Sequence, residues 1–388
     1  MRLIIAAALF LAVCACTSQE EKKQTVSDQI SVSLDTVIID SGDEFLYLQD
    51  QLYYSGVSND NSYLINFNRK DNIAEKIDLD ELRLLEKVKF EKEGPNGVLK
   101  VVGYVSHFSL LSDENILFWD YFLYRIFDQN GQLVRDLELD KIAPEFLGTD
   151  EYYAAAIFQV ENNLDRIIAF IFHWESGSRL ILDIDLKNQT FEKIALPELE
   201  KLKDFNVNLL YEGAPAGTYG PSANAISVNG KIIISNTAFN EVLIYDLAID
   251  SLYTKSWNTH LLADKKSYVP PKEVERTSGQ LKEIYRRNEE DLNYKSFFWD
   301  KKNERFFRFS ERMHFGEELN GYEDYISKGA DIFLSVFDKD FNLIAEAEIS
   351  ELDKLPSTYF TKDGNIWMYE NINDELAFVI VKIENLKK

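Results

Sequence analysis

Residues His107–Leu139 read HFSLLSDENILFWDYFLYRIFDQNGQLVRDLEL, and this stretch decides the fold. Its apolar segments HFSLLS, ILFWDY, LYRIFD and LVRDLEL are short and rich in aromatic and branched side chains, which is typical of β-strands. The polar turn DEN separates the first two segments, and the turn QNG separates the last two. Because tight polar turns join antiparallel neighbours, the stretch predicts one four-stranded antiparallel unit.

The same pattern recurs along the chain. Further copies span Glu44–Leu79, Tyr152–Leu196, Ala223–Trp257, Lys295–Ile349 and Ser357–Glu384. When the copies are aligned on their third strands, an acidic or amide side chain recurs at Asn68, Asp128, Asp185, Asp246 and Asp338. The first four of these positions lie about 60 residues apart, and regular repetition of a four-stranded unit is typical of a β-propeller.

The last copy lacks an outer strand, whereas Ser33–Ile39 forms a spare strand before the first copy. Pairing of these two segments would remove an open sheet edge, which otherwise invites aggregation. The sequence therefore predicts an all-β fold: a six-bladed β-propeller closed by an N-terminal strand, in a single domain over residues 31–388.

The N-terminus carries a targeting pattern. Arg2 precedes the apolar run Leu3–Val13, which is too short to span a bilayer and is typical of a secretory signal. The sequence Val13-Cys14-Ala15-Cys16 resembles a bacterial lipobox, in which a small residue precedes the lipidated cysteine. We predict a lipoprotein signal peptide over residues 1–15, lipid attachment at Cys16 and a polar tether over residues 16–30. An ordinary signal peptide is the alternative.

Composition excludes several functional classes. The 388 residues include 42 Lys and Arg against 66 Asp and Glu, a net charge of −24, which argues against a nucleic-acid partner. Both cysteines lie within the first sixteen residues, so the folded body has no disulfide framework and no Cys-based zinc site. The four histidines lack metal-ligand spacing, and no GxSxG motif occurs. We therefore expect no metal, no cofactor and no identifiable catalytic residue.

The long connectors lead from an outer strand to the next inner strand, at Glu81–Tyr104, Pro197–Pro221 and Asn258–Tyr294. In a propeller these connectors emerge on one face, together with the turns between second and third strands, and such loops commonly carry function. The insertion 258–293 predicts a helix that begins at a capping box of Thr277 and Gln280. A plug and a lid over a binding site both fit this insertion. The loop Glu212–Pro221 fits either a structural turn or a ligand loop.

Candidate ligand-binding residues follow from these loops. His107 lies in an inner strand, where a core histidine is expected. Aromatic, basic and acidic side chains on the insertion-bearing face suit a glycan or a peptide, although ordinary solvated turns explain them better. The candidates are Trp119, His173, Trp174, Tyr219, Arg312, His314 and Glu370.

The turns at Phe127–Val134 and Thr361–Trp367, together with the lipobox, resemble those of Bacteroidetes lipoproteins of the TolB-like six-bladed β-propeller type, some of unknown function. The resemblance implies an outer-membrane or surface-anchored protein in the cell envelope that binds a protein or glycan partner, without established catalysis. A carbohydrate-active enzyme with catalytic carboxylates in the central funnel is the alternative. A structural component of an envelope complex is a third possibility.

Overall fold

The aromatic and branched segments of the repeats form strands in the computed structural model, which describes residues 30–99, 105–257, 259–322, 324–384 and 386. The predicted signal peptide and the lipid attachment site at Cys16 lie outside these residues. In the described part of the chain, no helix is long and apolar enough to cross a membrane.

Within the described residues, six antiparallel sheets contain four strands each. Strand β1 is Ser31–Ile38. Sheet 1 consists of β2 Ser55–Val57, β3 Tyr63–Asn68, β4 Ile73–Asp78 and β5 Arg83–Lys89. Sheet 2 consists of β6 His107–Leu110, β7 Ile116–Trp119, β8 Tyr124–Phe127 and β9 Leu133–Asp136, followed by the short helix α1 Leu139–Ile142. Sheet 3 consists of β10 Tyr152–Val160, β11 Asn163–His173, β12 Arg179–Asp185 and β13 Thr190–Ala195.

The first insertion follows, with a 3-10 helix at Pro197–Phe205 and strands β14 Val207–Tyr211 and β15 Ala214–Tyr219. Sheet 4 consists of β16 Ala223–Val228, β17 Lys231–Asn236, β18 Glu241–Asp246 and β19 Ser251–Ser256. The second insertion contains β20 Glu273–Glu275 and helix α2 Gln280–Glu289. Sheet 5 consists of β21 Asn293–Asp300, β22 Arg305–Leu319, β23 Tyr325–Asp338 and β24 Leu343–Glu348. Sheet 6 consists of β25 Tyr359–Lys362, β26 Asn365–Ile372, β27 Glu375–Glu384 and, at its outer edge, β1.

Apolar clusters fill the interfaces between consecutive sheets. In β11, Ile167, Ala169 and Ile171 belong to the cluster shared with sheet 2, whereas Ile168 and Phe170 belong to the cluster shared with sheet 4. Alternate residues of a strand point to opposite faces, so a strand packed on both faces is apolar at every position. Sheets 6 and 1 also share a cluster, in which Phe378 and Trp367 join Leu64 and Ile77. The fold is therefore all-β and propeller-like.

The recurring acidic residue stabilises the turn between the third and fourth strands. The Oδ1 atom of Asp128 accepts hydrogen bonds from the backbone N–H groups of Asn130 and Gln132, at 2.9 and 2.8 Å. Asp338 accepts equivalent bonds from Asp340 and Asn342. Asp185 and Asp246 hold their turns in the same way. Such Asx turns satisfy backbone donors that the sheet leaves unpaired, which explains the repeat.

In sheet 1 the predicted strand assignment is wrong by one strand. Asn68 ends the second strand of this sheet, and Asp78 ends the third, where its Oδ1 accepts bonds from Asp80 and Glu81. The segment Glu44–Gln49 is not a strand, and the outer strand β5 lies inside the predicted connector Glu81–Tyr104. The two turns are hard to distinguish by sequence because Asn68 Oδ1 also accepts bonds from two following backbone N–H groups.

Strands of the first and second insertions form one three-stranded sheet with the order β15-β14-β20, which we call the insertion sheet. Strand β14 pairs parallel with β20, and helix α2 packs on the sheet through Leu281 and Ile284. The predicted helix is present, but its N-cap is Gly279 with no side-chain hydrogen bond, so the predicted capping box of Thr277 and Gln280 does not form.

The predicted loop Glu212–Pro221 is largely strand β15. Glu212 and Gly213 have φ of 51° and 78° and form the two-residue turn between β14 and β15. Positive φ at both central residues is characteristic of a type I′ turn, whose twist matches that of the flanking strands. The segment is therefore a hairpin rather than an irregular loop.

Candidate functional site

One face of the molecule gathers the unusual segments. In each sheet the turn between second and third strands lies at the same end as the connector into the first strand, because antiparallel strands alternate in direction. Both insertions lie on connectors into a first strand. The long hairpin extension of β22 and β23 lies on a turn between second and third strands. We call this side of the molecule the insertion face.

A cleft of about 750 Å³ lies on the insertion face, between sheet 3 and the insertion sheet. Phe172, Trp174 and Arg179 form the wall from sheet 3, and Asn208 and Thr218 contribute to the wall from the insertion sheet. Pockets of this size that combine aromatic surface with a few polar groups are typical of small-molecule sites.

The insertion sheet has two chemically different faces. Val207, Leu209 and Val274 share the apolar cluster of helix α2. The alternate residues Asn208 and Glu273 are exposed and line the cleft. Polar side chains of the sheet thus line the cleft together with the apolar Leu209, Leu210 and Pro215, and the opposite face packs on the helix. This arrangement favours a lid over a site.

Gly220 permits the close approach of the cleft wall to Asn206. A Cβ atom at Gly220 would lie 2.1 Å from Asn206 Oδ1, well inside van der Waals contact. Both residues line the cleft. This glycine is therefore required by packing at the site, as its place in the Gly-rich stretch indicates.

Three aromatic side chains in mutual contact form a belt beside the cleft; they are Tyr121, Tyr153 and Trp174, the aromatic belt. The Tyr153 ring lies 5.5 Å from those of Tyr121 and Trp174, and Trp174 Nε1 donates a 3.1 Å hydrogen bond to the Tyr121 hydroxyl. Trp174 is 48% exposed. The belt is thus a partly exposed aromatic surface held in place by ring contacts and a hydrogen bond.

Tyr153 is the central ring of the belt, in contact with Tyr121 and Trp174. Burial raises the pKa of Tyr153 to about 12, and the nearby hydroxyls of Tyr53 and Tyr121 add to the rise. Tyr153 therefore stays protonated and can donate a hydrogen bond at physiological pH. Its hydroxyl is hydrogen-bonded to His107 Nε2.

Arg179 is the cation of the cleft. Its Nη1 and Nη2 atoms donate hydrogen bonds to the carbonyl oxygens of Gly177 and Pro221, at 3.1 and 3.0 Å. Its guanidinium lies 5.2 Å from the centre of the Phe172 ring. Burial lowers the pKa of Arg179 to about 10, so the group remains charged at neutral pH. Glu200 favours its charged form, and Glu175 and Glu273 line the same cleft.

A second, open pocket of about 280 Å³ lies next to the connector into sheet 1, where Tyr53 and Tyr54 contribute to its lining. We call it the Arg69 pocket; its lining residues are Gln49, Asp50, Gln51, Tyr53, Tyr54, Arg69 and Ser357. Arg69 forms an ion pair with Asp50 at 3.0 Å and lies over the Tyr54 ring at 4.7 Å. The pocket therefore combines aromatic, amide and hydroxyl groups with balanced charge.

Of the candidates taken from the sequence, Trp174 lines the cleft, whereas His173 and Trp119 are not part of its lining. His173 Nδ1 accepts a hydrogen bond from the backbone N–H of Ser176, which stabilises the turn. Trp119 is buried, and its Nε1 donates to the carbonyl oxygen of Ala154 at 2.9 Å. His107 stacks on Trp119 at 4.8 Å, and burial lowers its pKa to about 4, consistent with the expected neutral core histidine.

The other candidates lie elsewhere on the insertion face. Tyr219 packs edge-on against Tyr285 on the helix side of the insertion sheet. Arg312 and His314 are within strand β22 rather than in a turn, contrary to the prediction, because the β22–β23 hairpin extends far beyond its sheet. His314 Nε2 lies 2.8 Å from Asp331 Oδ1.

Glu370 lines a separate cleft of about 570 Å³ and pairs with Lys354 at 3.2 Å. The seven candidates therefore do not converge on one pocket. The sequence analysis missed Tyr153 and Arg179 as site residues, and it chose Trp119 as a candidate where the structure exposes the neighbouring Tyr121 to the belt. Asn208 could not be predicted as a site residue from the sequence, because its strand β14 belongs to an insertion that is not part of the repeated pattern.

The acidic side chains with raised pKa lie in separate sheets of the part of the chain that the structure describes. Among the described residues, no group of His, Asp and Glu side chains is placed to hold a metal ion. Burial raises the pKa of Glu75 and of Glu346, but the two residues belong to sheets 1 and 5. Glu75 accepts hydrogen bonds from Asn66 and the Tyr47 backbone, and Glu346 accepts one from Ser335. Each carboxyl group thus has its own structural partners.

Comparison with known proteins identifies the family of this chain. The model of a family described as "Domain of unknown function (DUF4221)" matches residues 27–348. A member of that family from Bacteroides vulgatus has a similar structure, with a TM-score of 0.62 at 15% identity, covering 92% of this chain and 99% of that one. A putative exported protein from Bacteroides fragilis gives a TM-score of 0.51 at 8% identity, over 93% and 98% of the chains. No curated protein matches.

Proposed function

Because the chain belongs to the DUF4221 family, a domain of unknown function, we propose a function from the chemistry of its insertion face. We propose that it is a glycan-binding propeller and that its ligand lies in the cleft between sheet 3 and the insertion sheet. The observation that carries this proposal is the half-exposed Trp174 ring on a cleft wall opposite polar side chains.

The cleft residues match the chemistry of a sugar. The apolar CH face of a pyranose ring stacks on an indole ring, and Trp174 offers that surface. Asn206, Asn208 and Glu273 supply the amide and carboxylate groups that bond hydroxyls, and both amides present donors and acceptors. The insertion sheet forms the wall of the site that faces sheet 3. A rigid aromatic platform with flanking hydrogen-bond groups supports binding without requiring catalysis.

The enzyme alternative has less support. Hydrolysis of glycosides by the common mechanism needs two carboxyl groups placed on either side of the scissile bond. The two carboxyl groups with raised pKa, Glu75 and Glu346, are in different sheets with separate hydrogen-bond partners. Neither lines the cleft that holds Trp174.

We also infer that the six sheets are the blades of a closed ring. The cyclic order of the interface clusters, including the cluster between sheets 6 and 1, supports this arrangement. Contacts between the first strands of consecutive sheets, such as β2 with β6 and β21 with β25, support it as well. In this arrangement β1, which pairs with β27, is the outer strand of the last blade and closes the ring.

For location, we propose a lipid anchor at Cys16 that holds the propeller in the cell envelope at the outer membrane. The lipobox in the sequence supports this proposal. Labelling of expressing cells with a palmitate analogue tests it: Cys16→Ser should abolish the label, and Cys14→Ser should retain it. Equal labelling of the Cys16→Ser variant and the native chain would exclude Cys16 as the attachment site, and a native chain without label would rule the anchor out.

The test of ligand binding uses an array of soluble oligosaccharides, followed by calorimetry on any that bind. Trp174→Ala should weaken binding about tenfold, or ~1.4 kcal/mol, because the stacking surface is lost. Tyr322→Ala is the matched control, since Tyr322 is 89% exposed on the β22–β23 tip and lies outside the cleft. Absence of any saccharide binding, or equal binding by the Trp174→Ala variant, would contradict the proposal.

A further inference from the structure

The cleft of about 570 Å³ that Glu370 lines takes no part in the proposed function and shares no lining residue with the cleft at Trp174. Its walls are residues 351–357 of the connector into sheet 6, part of the connector into sheet 1, and strands β1, β26 and β27 of sheet 6. Both connectors lead into a first strand, so this cleft also lies on the insertion face. We call it the acidic cleft.

Aliphatic side chains contribute a large part of its lining. Leu34 and Met368 line it from sheet 6, and Leu352 and Leu355 line it from the connector. Leu34 is 40% exposed. Apolar surface that is exposed inside a concave site suits an apolar group of a ligand, and the flexible methionine side chain can adapt to its shape.

Carboxylates outnumber cations in the same lining. Lys354 forms an ion pair with Glu370 at 3.2 Å. Glu351 and Asp353 are exposed, and neither has a cationic partner in the part of the chain that the structure describes. The acidic cleft therefore presents two uncompensated negative charges beside its aliphatic surface. This combination is complementary to a cation that neighbours an apolar group.

The acidic cleft adjoins the Arg69 pocket, because Gln49, Gln51 and Ser357 line both. The shared wall contains two consecutive residues with positive φ, Gln51 at 49° and Leu52 at 60°. The hydroxyls of Ser357 and Thr358 donate hydrogen bonds to the Gln51 carbonyl oxygen, at 3.1 and 2.9 Å, and hold this strained turn. The two pockets thus form one open groove with exposed amide groups on its wall.

We propose that this groove binds an extended peptide segment in which a basic residue neighbours an aliphatic one. The aliphatic side chain packs on the aliphatic lining, and the basic side chain pairs with Glu351 and Asp353. The side-chain amides of Gln49, Gln51 and Asn371 each offer a donor and an acceptor, which suits the N–H and C=O groups of a peptide backbone. A neutral glycan would leave both carboxylates without a partner. The proposal is therefore independent of glycan binding at Trp174.

Fluorescence anisotropy with labelled hexapeptides tests the proposal. The probe alternates leucine and lysine. One comparison peptide has serine in place of each leucine, and another has glutamate in place of each lysine. The native chain should bind each comparison peptide about tenfold more weakly than the probe, because one lacks the apolar contact and the other lacks the cationic contact. Absence of probe binding, or equal affinity for the probe and either comparison peptide, overturns the proposal.

A pair of double variants locates the binding. Glu351→Gln together with Asp353→Asn should weaken binding of the leucine–lysine probe about tenfold. The matched control is Glu304→Gln together with Asp340→Asn, which removes the same two charges from exposed turns on the opposite face and should leave the affinity unchanged. Native affinity in the first double variant overturns the proposal. An equal loss in both double variants also overturns it, because the probe would then be attracted by the overall negative charge alone.

Discussion

Asp128 illustrates why one acidic residue recurs along this chain. A single carboxylate oxygen accepts two backbone hydrogen bonds in the turn after the third strand, at 2.9 and 2.8 Å. The same chemistry at Asp185, Asp246 and Asp338 makes the residue a marker of the repeat. Asn68 shows the limit of the marker, because an amide oxygen holds the turn after a second strand equally well.

We predict that Asp128→Ala lowers the free energy of unfolding by about 1–2 kcal/mol, since two backbone donors lose their acceptor. Asp128→Asn keeps an acceptor oxygen at the same place and should lose less than half as much. Urea denaturation of the three proteins measures the difference. If the asparagine variant were as unstable as the alanine variant, the charge of the side chain rather than its hydrogen bonds would hold the turn.

At the scale of the elements, the sequence predicts strands best where the packing is repetitive. Strand β11 packs against a cluster on each face and therefore requires an apolar residue at every position, and that run is visible in the sequence. One cluster takes Ile167, Ala169 and Ile171, and the other takes Ile168 and Phe170. Helix α2 is also foreseen, because its apolar side chains recur at helical spacing.

The insertion sheet could not be foreseen for a physical reason. Its parallel pair β14 and β20 comes from two connectors on either side of sheet 4, and its register depends on tertiary packing against α2. β20 is only three residues long and carries no pattern of its own. The cleft is formed by this sheet, so the candidate site was predictable only through Trp174, which belongs to a repeated turn.

One sheet of the molecule joins two segments that lie far apart in the chain. Strand β1 pairs with β27 from Ser31 opposite Glu384 to Ile38 opposite Ala377. We predict that a chain starting at Ile39 melts at a lower temperature than one starting at Ile30 and forms soluble aggregates, because β27 then has an unpaired edge. Thermal unfolding and size-exclusion chromatography check both effects. Equal melting temperatures and a monomeric elution for both chains would show that β1 is dispensable.

The β1–β27 pairing also constrains the order of events during synthesis. The hydroxyl of Ser33 donates a hydrogen bond to Glu384, a residue 351 positions later. Contacts that close so long a loop form slowly, and a chain emerging from the ribosome cannot make this one until the residues up to Glu384 have been translated. We therefore expect the sheets to form in chain order while β1 waits without its partner. A chaperone that shields Ser31–Ile38 until the last strand arrives would act at the most vulnerable stage of biogenesis.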